Sequence, residues 1–134
     1  MKRVPKFGML AVLGLIFCAP AFAHHSFAAE YDGNQSISIT GTVTKLEWTN
    51  PHVFLHLEVR DASCIGVAWT FEMASPNALL RRGWNKNSLV AGQTVTVEAY
   101  PSKVAQHAAK ARSVKLSDGR ILYALSPGDE EQTR

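Results

Sequence analysis

The chain has 134 residues, 46% of them hydrophobic, with two cysteines and a formal charge of +3. That length supports one buried core and is short for two. Three of the basic residues, Lys2, Arg3 and Lys6, sit at the very start; without them 11 basic residues face 11 acidic ones, so no basic stripe is left to meet a phosphate backbone and nucleic acid is excluded as a partner.

Those three charges lead into an apolar run from Phe7 to Cys18 and the small-residue site Ala21-Phe22-Ala23, the pattern of a secretory signal over residues 1–23. The run is shorter than the ~20 residues a spanning helix needs, so the reading is export to the periplasm with no membrane insertion after cleavage. Cys18 leaves with the signal, and Cys64 alone cannot form an internal disulfide. The core must therefore hold by burial.

Residues 24–35 read as a polar arm carrying Phe27 and Tyr31, and residues 36–125 as the folded domain. From Ser36 the apolar period is two, through Ile37, Ile39, Gly41 and Val43; the parity then slips so that Leu46 and Trp48 take over, which predicts a long first strand with a bulge or bend. Asn50-Pro51 ends it, because proline lacks a ladder donor. A second strand over His52 to Arg60 sets Val53, Leu55, Leu57 and Val59 on one face and His52, Phe54, His56 and Glu58 on the other. A third, with Val67, Trp69, Phe71 and Met73 inward, pairs with it as a hairpin.

Ser75-Pro76 is a helix start and Gly83 a helix stop, giving one short helix. A fourth strand opens at Gly92-Gln93 and ends at Pro101-Ser102; a fifth runs near Ala111 to Leu116, and Ser117-Asp118-Gly119 turns into a sixth around Arg120 to Ala124. The acidic, Pro- and Gly-containing tail, residues 126–134, is expected to be disordered. Three strands, one helix and further strands in that order predict an all-β fold with one short helix: an OB-like, five- to six-stranded antiparallel barrel.

His24-His25-Ser26-Phe27 with Glu30-Tyr31-Asp32, Thr49-Asn50-Pro51-His52, Arg82-Gly83-Trp84 and Asp118-Gly119-Arg120 resemble the motifs of a family of small exported proteobacterial proteins catalogued as a domain of unknown function. The resemblance spans essentially the whole exported chain and implies a periplasmic protein. At the level of element order alone, the chain is also similar to the bacterial periplasmic oligonucleotide-binding-like barrels.

Cleavage after Ala23 creates an amine with a pKa of about 8 beside two imidazoles, so His24 and His25 can chelate through ring, amine and amide nitrogens, a set that suits Cu(II). His52 and His56 lie four apart, about 13 Å on a strand, and so share a face without sharing an ion. His52, in the loop after the first strand, and His107, in the loop after the fourth, flank the binding face of such a barrel, so the predicted metal set is His24, His25, His52 and His107. Glu72 falls opposite Phe54 and diagonal to His52 and His56, where it can orient a ring. With Phe54 and His56 it marks a ligand face. No hydrolase elbow, phosphate loop, dinucleotide fingerprint or His-Glu-x-x-His occurs. The expectation is a binding module without enzymatic activity: a copper site at the histidine terminus or, alternatively, a metal-free face for a small ligand or a periplasmic protein partner.

Overall fold

A computed structural model describes residues Ser26 to Thr133. The expected signal segment and His24 and His25 lie outside the described residues. Among those described, no helix is long and apolar enough to cross a membrane.

Six strands, β1 (Ile37–Glu47), β2 (Phe54–Arg60), β3 (Gly66–Glu72), β4 (Thr94–Pro101), β5 (Ala108–Leu116) and β6 (Ile121–Tyr123), form one sheet in the order β3-β2-β1-β4-β5-β6. A second pairing, β3 with β5, closes the first five into a barrel, and β6 adds to the outside of β5. The fold is the expected OB-like barrel. Its closing seam, however, is parallel, joining Thr70, Phe71 and Glu72 to Ala108, Ala109 and Lys110, so the barrel is mixed where an antiparallel one was expected. The cause is topological: after the helix and β4, the chain re-enters β5 in the same direction as β3.

The period-two reading holds through the core. Val53, Leu55 and Leu57 are buried with Phe71 and Met73 across the hairpin, and Val95, Val97 and Val114 complete the interior from the other side. The parity slip is a register shift between Val43 and Lys45 against β2. One residue earlier in that alternation, Gly41 is required: a Cβ there would sit 2.8 Å from the Glu58 carbonyl oxygen, so the two backbones approach too closely for any side chain. The Asn50–Pro51 peptide is cis.

Helix α1 (Phe27–Glu30) belongs to the arm, and α2 (Pro76–Arg81) occupies the slot between β3 and β4. Ser75 caps α2 by accepting the Ala78 amide, and Gly83 reverses the chain at φ 86°. Leu79 and Trp84 then close one end of the barrel, and the indole Nε1 donates to the Tyr123 carbonyl at 2.8 Å. A third helix, α3 (Pro127–Gln132), stands where disorder was expected. Ser126 caps it, and two ion pairs, Asp129 with Lys110 and Glu130 with Arg82, tie it to the barrel. A local Ser-Pro start begins it, and long-range charges, invisible in the tail's own composition, hold it in place.

Candidate functional site

The outward positions of four strands form one row: Phe54 on β2 pairs with Glu72 on β3, Glu72 with Lys110 on β5, and Lys110 with Tyr100 on β4. On a free barrel this row would face water. Here the arm covers it from Glu72 to Tyr100. Tyr31 bridges to Ser102 at the end of β4, Asp32 donates its amide to the Pro101 carbonyl, and Phe27 packs edge-on against Tyr100 with ring centres 5.5 Å apart. Phe27, Tyr31, Tyr100 and Leu125 form a second, smaller apolar cluster.

Under that cover sits a carboxylate with three donors. Glu72 Oε1 accepts from His52 Nδ1 at 2.8 Å and from Lys110 Nζ at 2.7 Å, while Oε2 accepts from the Tyr31 hydroxyl at 2.7 Å. Lys110 is only 3% exposed, and its ammonium also meets Asp129 Oδ2 at 3.2 Å and lies 5.9 Å from the centre of the Tyr31 ring. A buried ammonium demands paired acceptors, which β3 and α3 supply from either side.

Burial pushes the Glu72 carboxyl upward, but the hydrogen bonds from His52 and Lys110, the charge of Lys110 and the Tyr31 hydroxyl outweigh it and bring it down to about 2. Burial and then the bond to Glu72 push the Tyr31 phenol well above its ordinary range, so it stays a neutral donor. Because the folded carboxyl is depressed from its ordinary 4.5, the stability it contributes is complete above that value and is lost as pH falls toward about 2. Urea midpoints measured from pH 6 down to pH 2.5 should therefore fall more steeply for the natural protein than for Glu72→Gln. Parallel curves would mean that Glu72 plays no part in the acid response.

The predicted site residues separate into three environments. His52 is held by Glu72 as the register implied, and an imidazole donating from Nδ1 leaves its Nε2 lone pair for a ligand. His56 has both ring nitrogens engaged, Nε2 with Glu47 Oε2 at 3.1 Å and Nδ1 with Thr70 Oγ1 at 3.3 Å. His107 adopts a left-handed backbone, φ 51°, and sets its ring edge-on against Trp69 with centres 5.4 Å apart. Phe54, expected as an exposed ring, is half-buried, flanked in register by Glu47 and Glu72. Among the described residues no three His, Cys, Asp or Glu side chains are grouped to hold a metal ion. Any metal set built on His52 therefore depends on the residues before Ser26.

Sequence reasoning missed Lys110, Asp129 and the role of Tyr31. Lys110 alternates with buried Ala109 and Ala111, a polar outward position like any other, and only the covering arm and α3 make it a buried cation.

The model of a family of unknown function, DUF6152, matches residues 13–111. The chain belongs to that family. Tyr31, His52, Glu72 and Lys110 fall inside the DUF6152 match, whereas β6 and α3, with Asp129, lie beyond it. No curated protein and no solved structure matches the chain.

Proposed function

We propose that this DUF6152 protein is a periplasmic binding module that holds copper with its N-terminal histidines and His52. The amine and rings of His24 and His25 would supply nitrogen ligands from a chain cut after Ala23, and His52 Nε2 a further one from the barrel; tetragonal nitrogen ligation is what Cu(II) favours. One observation carries the reading: the Glu72 carboxylate that orients His52 also anchors Tyr31 of the arm. Six positions separate His25 from Tyr31, and four of the intervening residues are wound in α1 at about 1.5 Å each, so this anchor limits how far a terminal chelate can lie from His52. The carboxylate also fits its part chemically, since it fixes the tautomer of the ring it holds.

Competition titration with a chelator of known Cu(II) affinity tests the reading. A protein beginning at His24 should bind copper about tenfold or more tightly than its His52→Ala variant, its form with one extra N-terminal residue, or the free peptide of the same first residues. His56→Ala should change little, because both ring nitrogens are already engaged. Equal affinity for the folded protein and the peptide would overturn the copper reading.

A groove of about 400 Å³ on the outer face of β1, β2 and β3, lined by Lys45, Glu47, His56, Glu58, Ala68 and Trp69 among others, supports the second reading, a metal-free module for a small ligand or partner protein.

A further inference from the structure

A second concavity, of about 320 Å³, lies on the opposite side of the barrel from β2, between β5, β6 and α3, and is lined by Tyr100, Arg112, Tyr123, Leu125, Glu130 and Thr133. Its floor is fixed. Tyr100 and Leu125 are buried in the small aromatic cluster beneath the arm, and the Tyr123 backbone is pinned by the Trp84 indole. Above that floor Tyr123, on the edge strand β6, is 57% exposed.

The charges in the groove do not cancel. Among the described residues Glu130 is its only carboxylate, and Oε1 of that group already accepts from both terminal nitrogens of Arg82, at 2.8 and 2.9 Å. Arg112, by contrast, meets no acceptor among the described residues through its guanidinium, while its backbone carbonyl takes the Ala124 amide. The groove therefore presents one unspent cation with a planar, forked donor set beside an exposed ring and an apolar floor.

We infer that this groove binds a small organic anion, a single carboxylate joined to a flat or apolar body. The carboxylate matches the fork of Arg112, and the body lies along Tyr123 over Leu125. Inorganic phosphate fits less well, because one cation faces it and the floor offers it nothing. The inference stands independently of the copper reading, since neither Arg112 nor Tyr123 is among the hydrogen-bond partners of Glu72 and His52.

Benzoate, acetate and benzyl alcohol are the probes, followed by NMR on the folded chain. Benzoate should bind saturably at or below about 10 mM and shift the Tyr123 ring and Arg112 side-chain signals; acetate should bind several-fold more weakly, and benzyl alcohol not measurably. Arg112→Gln should weaken benzoate by about tenfold or more, the loss expected for a charge-assisted bond. Tyr123→Ala should erase the advantage of benzoate over acetate. Both side chains are exposed, so both variants should keep the parent urea midpoint, which separates lost binding from lost folding. Benzoate binding unchanged by Arg112→Gln, shifts confined to residues outside the groove, or no saturation in that range would each overturn the inference.

Discussion

Trp84→Ala will cost the barrel about 4 kcal/mol, within the 3–5 kcal/mol typical of truncating a buried aromatic residue. The ring is 1% exposed and packs with Leu79 of α2 across the end of the barrel, where few other atoms are free to collapse into the space it leaves. Its loss also strips the Tyr123 carbonyl of its donor. Against a total of about 5–15 kcal/mol for a domain of this size, that is a large fraction. In urea, with a slope of about 2 kcal/mol per molar, the midpoint should fall by about 2 M while the slope itself stays put. A shift smaller than about 0.5 M would show that α2 and Leu79 close the end without the indole.

Glu72→Ala will be nearly as costly, about 3 kcal/mol, and its effect will spread to the arm. The change leaves the Lys110 ammonium with Asp129 alone and strips His52 Nδ1 and the Tyr31 hydroxyl of their acceptor. Breaking a buried pair from one side typically costs 3–5 kcal/mol because a charge is left behind. Asp129, at 3.2 Å, holds the loss to the lower end. Hydrogen exchange should show where it goes: the Asp32 amide, bonded to Pro101, and the Lys103 amide, bonded to Glu30, should exchange faster, while the Leu57 and Phe71 amides in the core follow global stability only. Replacing both partners, Glu72→Leu with Lys110→Met, should recover part of the loss, since no buried ammonium is then left behind and the Asp129 carboxylate it releases is partly exposed. A cost for Glu72→Ala within about 0.5 kcal/mol, as for an ordinary surface change, would contradict the buried arrangement.

The strands were legible because each carries its own signal. Val53, Leu55 and Leu57 alternate with His52, Phe54 and His56, and that local period already dictates which face turns inward. The same holds for the slip in β1, which the structure realises as a bulge, and for Ser75-Pro76, whose cap and preset φ start a helix without tertiary help. It also put Glu72 beside Phe54 and within reach of His52, because antiparallel register follows once two inward faces are matched.

What the period could not carry is any pairing between segments distant in the chain. The parallel seam brings Glu72 next to Lys110, 38 positions on, and α3 brings Asp129 to the same ammonium. Neither contact leaves a local trace. Six residues of α3 have no amphipathic pattern to read; Ser126-Pro127 repeats the start signal of Ser75-Pro76, and Arg82 and Lys110 on the barrel then hold the short helix by its carboxylates. The sequence by itself thus determined the faces of the strands, the bulge and the helix start, all consequences of backbone geometry within a few residues. Only the tertiary structure decided that the outer row from Glu72 to Tyr100 is covered by the arm, and so turned an outward lysine and glutamate into an ion pair shielded from water that holds His52 and Tyr31 together. Burial is a property of what packs on top of a residue, and no alternation within the strand records it.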